Sequence, residues 1–266
     1  MGIEIEKITT DGISIGYFRF GQGKRPMIIL PGLSVKSILV YKDAIVGAFA
    51  AFSDDFEVYV FDRRENLPEV YTVSDMADDY VKAFDALGLK DVSLYGVSQG
   101  GMISLSIAIK RPDLVSAMVI GSSASRQTEE SKELVAEWNR LAREENEDAL
   151  IESFASHVYS EAFYNAYKQP IVDSLKGITK EEFRRLTILT DKMAEFNVFD
   201  SLDQIKCPVL VMCGSDDAVL GAEPSIEMAA KLACTVKVFE GFGHAVYDET
   251  EEYKLLAKDF LLSVQG

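Results

Sequence analysis

Residues 95–101 read Tyr-Gly-Val-Ser-Gln-Gly-Gly and set a serine between glycines, where a valine-containing apolar run gives way to a helix-like one. A serine hydroxyl alone is a weak nucleophile. It becomes a useful one when a base takes its proton, a carboxylate orients that base, and fixed N–H groups receive the negative charge that develops on the substrate. A strand-to-helix turn over 96–101 would supply part of this, because the first N–H groups of a helix are unpaired and lie at the positive end of its dipole. The flanking glycines remove side chains that would clash in a tight turn, which leaves the Ser98 hydroxyl projecting from the sheet edge. Candidate partners are few. The chain holds two histidines, His157 and His244, and the adjacent carboxylates Asp216 and Asp217 follow a separate apolar run. The Gly-x-Ser-x-Gly pattern is short enough to recur by chance, so its meaning depends on the elements around it.

Seven apolar runs have strand character: ISIGYF near 13, PMIIL near 26, FEVYVF near 56, VSLYGV near 92, LVSAMVIG near 114, PVLVMC near 208 and TVKVFEG near 235. From residue 26 onward they are apolar at nearly every position, as strands of a parallel sheet covered on both faces should be. Helical spacing fills the gaps. Met76, Tyr80, Phe84 and Leu87 recur at intervals of three or four ahead of Gly88, and the C-terminal EEYKLLAKDFLLSV repeats the pattern. The alternation predicts a doubly wound, mostly parallel sheet flanked by helices. From about residue 124 to 201 no strand is evident, and Leu134, Trp138, Leu141, Leu150, Phe154, Val158, Phe183, Leu186 and Met193 follow helical spacing, so this stretch reads as a helical insertion.

With strand, turn and helix in this order, the Ser98 stretch resembles the nucleophile elbow of the α/β-hydrolase fold superfamily, and the likeness extends over nearly the whole chain. The resemblance implies a core domain at 1–123 and 202–266, with a helical cap at 124–201 inserted after the sixth strand. It also implies the order serine, acid, histidine. His244, in TVKVFEGFGHAVYDE, stands in the loop where the family places its general base, whereas His157 lies inside the insertion. The family's spacing of Gly, two residues, then Asp points from Gly214 to Asp217, with Asp216 the solvated or loop-capping neighbour. In PMIILPGLSVKS the family more often has a histidine where Pro31 stands, but Gly32 and Leu33 match. The backbone N–H groups of Leu33 and Gln99 are thus the expected oxyanion hole. After the next strand, Asp62-Arg63-Arg64 is kept while Glu65 and Leu67 replace the family's usual glycines.

The resemblance implies a serine hydrolase that cleaves a carboxylic ester of a small or medium-sized, largely apolar substrate through an acyl-enzyme, with no metal or organic cofactor. Carbon–carbon bond hydrolases, thioesterases, amidases and proline-type peptidases share the same triad, and a ligand receptor with little turnover is possible on the same fold. Trp138, Phe154, Tyr159, Phe163, Tyr164, Tyr167 and Phe196 give the insertion aromatic surface, most of it expected to be the insertion's own core. Composition narrows the partners. The 27 basic and 43 acidic residues give a formal charge of -16, which repels phosphate backbones and anionic lipid surfaces. No nucleic acid or membrane partner is therefore expected, and a small-molecule substrate is. Three cysteines without a C-x-x-C pair argue against a disulfide framework or zinc site. The first residues lack the basic and apolar regions of a secretory signal, which makes the cytoplasm the expected location.

Overall fold

The apolar runs form the inner strands of one eight-stranded sheet in the computed structural model, which describes residues 2–264. In chain order the strands are β1 (Glu6–Thr10), β2 (Ile13–Phe20), β3 (Arg25–Leu30), β4 (Phe56–Arg64), β5 (Val92–Val97), β6 (Val115–Gly121), β7 (Val209–Gly214) and β8 (Thr235–Phe239). In space they run β1-β2-β4-β3-β5-β6-β7-β8; β1, β2 and β4 pair antiparallel and every later neighbour pairs parallel. β1 was not among the predicted strands. Its sequence EKITT alternates between half-buried and exposed residues, so it carries no apolar run. It is joined to β2 through Asp11 and Gly12, both at positive φ, as a two-residue hairpin turn requires.

The helices are α1 (Lys42–Ala48), α2 (Val73–Leu87), α3 (Gln99–Lys110), α4 (Glu129–Arg143), α5 (Glu147–Val158), α6 (Glu161–Leu175), α7 (Lys180–Asp191), α8 (Glu223–Leu232), α9 (Val246–Glu249) and α10 (Glu251–Ser263). α2 shows how locally the sequence dictates them. Thr72 and Asp75 form a reciprocal capping box at its start, Met76, Tyr80 and Phe84 are fully covered, and Gly88 ends it in the left-handed conformation. Alternate residues of β3 enter different cores: Ile28 and Leu30 pack toward α2 and α3, Met27 and Ile29 toward Phe49 and α10.

Between β6 and β7 run α4 to α7. α4 packs on α5 and α7, and α5 on α6. α6 is kinked at Tyr167, three residues before Pro170, whose ring crowds the preceding turn and whose nitrogen cannot donate. The chain leaves and re-enters the sheet at one place, where Arg126 bridges Asn197 and the Val198 N–H donates to the Ser125 carbonyl at 2.8 Å. Among the described residues no helix is long and apolar enough to cross a membrane.

The strand order fixes where a site can form. From β3 the chain steps outward to β4, then back across β3 to β5, so the β3 and β5 loops diverge and leave a crevice at the carboxyl ends of these strands. Leu30 pairs with Gly96, which sets Pro31-Gly32-Leu33 beside Val97-Ser98.

Candidate active site

Ser98 ends β5 and caps α3 at φ 52° and ψ -123°, a conformation that L-residues rarely adopt. Its backbone is held from several sides. The Ser98 N–H donates to the Gly121 carbonyl at 2.8 Å, and its carbonyl accepts from the N–H groups of Gly101 (2.9 Å) and Met102 (3.2 Å) and from the Ser123 hydroxyl (2.8 Å). Such over-determination is what keeps a strained residue in place. The glycines explain the close approach. A Cβ on Gly100 would fall 1.9 Å from the Leu30 carbonyl oxygen, a backbone clash, and one on Gly32 would lie 3.1 Å from the Ser98 Cβ. The close approach of β3 to the start of α3 thus requires glycine at 100, and glycine at 32 keeps the neighbouring contact unstrained.

The partners come from the next strands outward. Asp217 follows β7 and is buried; its Oδ1 accepts from the N–H groups of Val219 and Leu220, each at 2.9 Å, and its Oδ2 lies 2.8 Å from Nδ1 of His244. With Asp217 acting as acceptor throughout, the proton between them sits on Nδ1, which leaves Nε2 as the acceptor nitrogen. His244 follows β8 and is buried as well. Asp216 is exposed, and its carboxylate accepts from the neighbouring Ser215 hydroxyl at 2.7 Å. His157 sits on α5 with Nδ1 2.7 Å from the Ser153 carbonyl.

Ser98 and His244 line one cavity of about 450 Å³ together with Gly32 and Leu33. The Gln99 N–H is the first of α3 and has no intrahelical acceptor. The wall is mostly aliphatic and aromatic. Trp138, Phe154 and Tyr159 of the insertion reach it, whereas Phe163, Tyr164, Tyr167 and Phe196 do not. Ile38, Tyr41, Ile45 and Phe49, from the segment through α1, complete it on the core side. Among the described residues no group of three or more His, Cys, Asp or Glu side chains is placed to hold a metal ion.

The sequence named Asp62 and Arg63 as a retained motif and Gln99 for its backbone N–H, but not the contacts their side chains make, and it did not single out Arg185 or Glu249. Arg63 is buried; Nη2 donates to the Pro31 carbonyl and to Gln99 Oε1, each at 2.9 Å, and Nη1 donates to the Tyr80 hydroxyl at 2.7 Å. It therefore ties the Pro31 and Gln99 segments, where the sequence placed the oxyanion donors, to α2. Gln99 Nε2 continues the chain to the Leu189 carbonyl of α7 at 3.0 Å. Asp62 accepts from Arg185 Nη2 of α7 and from the Ser37 hydroxyl, both at 2.5 Å. Glu249 accepts from the Ser160 N–H (2.8 Å), the Ser160 hydroxyl (2.5 Å) and the Gly243 N–H (3.3 Å), which fixes the loop that carries His244. The one sequence signal for these was the Asp62-Arg63-Arg64 motif.

The family model described as alpha/beta hydrolase fold matches residues 25–251. Among curated relatives, the RutD protein of Caulobacter sp. (strain K31), whose name ascribes carbamate hydrolysis to it, is 26% identical over 205 residues, 73% of this chain and 76% of its own. The 3-oxoadipate enol-lactonase 2 of Acinetobacter baylyi is 21% identical over 222 residues, 80% of each chain. Among solved structures, a thermophilic esterase from Thermogutta terrifontis aligns at TM-score 0.83 and 23% identity, covering 99% of this chain and 100% of that one.

Proposed function

The chain belongs to the α/β-hydrolase fold family, and from that premise we propose that it is a serine hydrolase cleaving a carboxylic ester of a small or medium-sized, largely apolar molecule. The observation that carries this reading is the strained Ser98 facing the same cavity as His244, whose other nitrogen is held by Asp217 at 2.8 Å. In the reaction Ser98 Oγ attacks the acyl carbon while His244 Nε2 takes its proton. His244 then protonates the departing alcohol, and the acyl-enzyme forms. Water that loses a proton to the same nitrogen releases the acid and restores Ser98. Asp217 fixes the tautomer and stabilises the transient imidazolium. The Leu33 and Gln99 N–H groups receive the oxyanion, each such donor lowering the barrier by about 3 to 4 kcal/mol. Residues 124–201 serve as a cap over a core formed by 1–123 and 202–266, and Trp138, Phe154 and Tyr159 shape the pocket from above. The names of the relatives, a lactonase, an esterase and a carbamate hydrolase, all denote attack at a carbonyl carbon bearing a heteroatom.

A fluorophosphonate probe tests the nucleophile. Folded protein should be labelled, and Ser98→Ala should not. A panel of p-nitrophenyl esters of rising acyl length, run beside matched amides and thioesters, tests the bond. Esters of short and medium acids should be cleaved fastest. Labelling that survives in Ser98→Ala, or a folded protein that never labels, would refute the mechanism, and faster turnover of amides or thioesters would replace the ester assignment.

A further inference from the structure

The cavity wall contains one carboxylate that no hydrogen bond or ion pair among the described residues holds. Asp248 lies on α9, four residues after His244, and lines the cavity that Ser98 and His244 share. Among the described residues no side chain hydrogen-bonds or ion-pairs with its carboxyl group. The next residue, Glu249, is by contrast fully engaged by Ser160 and Gly243. Asp248 keeps much of its surface open, although many protein atoms lie near its carboxyl.

This environment pushes the carboxyl up to about 6, chiefly through burial; Lys254 on α10 opposes the rise and Glu249 adds to it. The Lys254 ammonium is taken by Glu251 at 3.5 Å. The tyrosines whose charge would bear on Asp248, Tyr95, Tyr159 and Tyr247, have hydroxyls raised by burial and stay neutral. At neutral pH the carboxyl is therefore mostly ionised and, among the described residues, has no ion-pair partner: Lys254 acts on it only at longer range, and Lys36, which also lines the cavity, donates to the Lys176 carbonyl; a cationic ligand would relieve this costly arrangement. The same cavity presents rings from Tyr41, Tyr95, Trp138, Phe154, Tyr159 and Tyr247, whose faces attract cations. The net charge of -16 disfavours anionic substrates and draws in cationic ones.

We propose that Asp248 is a specificity-determining residue and that the substrate carries a protonated amine, which Asp248 holds within the cavity that Ser98 also lines. The proposal rests on the reading of Ser98 as an ester-cleaving nucleophile and adds the chemical class of the molecule cleaved.

Two esters of one shape test it: 2-(dimethylamino)ethyl butanoate, protonated at neutral pH, and 3-methylbutyl butanoate, in which carbon replaces the ammonium nitrogen. The quantity to read is the ratio of their kcat/KM values in each variant, since the electron-withdrawing ammonium activates the ester equally in all of them. Asp248→Asn and Asp248→Leu should lower that ratio at least about tenfold, mainly through KM of the cationic ester, the scale of one charge-assisted hydrogen bond. Asp248→Glu should restore part of it. A ratio within about twofold of wild type in both Asn and Leu variants, with the neutral ester still cleaved, overturns the role of Asp248 and leaves the ester assignment standing. If neither ester is cleaved and fluorophosphonate does not label Ser98, the ester assignment is what fails. Calorimetric binding of the ether analogue, 2-(dimethylamino)ethyl butyl ether, then decides. Binding to wild type that Asp248→Asn abolishes supports cation recognition, and equal or absent binding in both overturns it.

Discussion

Ser98 sits at φ 52°, and a residue kept in so sparsely populated a region costs on the order of 1 to 3 kcal/mol, borne here by four backbone and side-chain hydrogen bonds to Gly121, Gly101, Met102 and Ser123. The strain has a geometric return: the hydroxyl projects into the cavity while the Gln99 N–H beside it stays unpaired. The same economy distinguishes the two adjacent aspartates. Asp217 is buried with two backbone donors on one oxygen and His244 on the other, whereas Asp216 faces solvent with Ser215 as its partner. Asp217→Asn keeps the shape but presents an amide to His244 Nδ1, which favours the wrong tautomer. We expect kcat to fall by about three to four powers of ten, as loss of a triad carboxylate does elsewhere. Asp216→Asn should stay within about twofold. Esterase kinetics of the two purified variants check this, and a larger loss at Asp216 would reverse the assignment of the acid. A carboxylate after the apolar strand β7 could be expected because the chain brings the carboxyl ends of parallel strands to one edge, but only the family's spacing from Gly214 pointed to Asp217 over Asp216; the structure sets Asp217 against His244. Asp248 and Glu249 were not legible, since in sequence they stand in the acidic stretch DETEE, whose Glu251 and Glu252 are ordinary exposed residues.

At the scale of elements, the inner strands and α2 were readable because two-faced burial writes an apolar residue at nearly every strand position and a three-to-four spacing along a helix. Where burial is partial the signal fades. β1 is half exposed, and α1 buries none of its residues although Ile45 and Ala48 line the cavity. Contacts between elements left still less trace, because partners such as Asp62 and Arg185 lie far apart in the chain. Arg185 of α7 nevertheless joins the insertion to the core at one point. Besides the Asp62 carboxylate it reaches the Lys36 carbonyl at 3.2 Å, and both charged side chains are largely covered, at 14% and 10% exposure. An exposed pair contributes about 0 to 1 kcal/mol, but here removal of one partner strands the other away from water. Arg185→Ala should therefore lower the unfolding free energy by about 2 kcal/mol, measured by urea denaturation, and raise KM by loosening the Ser34 and Lys36 carbonyls that Arg185 holds at the cavity wall. Asp62→Asn should cost part of the same energy, so the double variant should fall short of the sum. Additive losses would mean that the two side chains act separately.

For the molecule as a whole, 43 acidic residues make the pH dependence of stability a sum over many carboxylates. The difference between wild type and Asp248→Asn removes that common background and isolates one group. Asp248 is raised from 3.8 to about 6 on folding, with burial the main cause. The folded state thus holds this proton more tightly than the unfolded state, and ionisation works against folding. Below the unfolded value both states carry a neutral side chain, so the two proteins should be nearly equal in stability. As pH climbs from about 4 to about 6, wild type must deprotonate in a confined site while the variant need not, and Asp248→Asn should become progressively the more stable protein. Above about 6 the gap should level off. Thermal and urea unfolding of both proteins at pH 4.5, 5.5 and 7.5 would read it directly. Were the carboxylate held instead by a structural partner, its pKa would lie below the usual range and the variant would be the weaker protein at pH 7.5. A gap of that sign would show that Asp248 serves the fold, whereas a gap favouring Asn marks a side chain kept against the interest of stability, as a group reserved for a ligand should be.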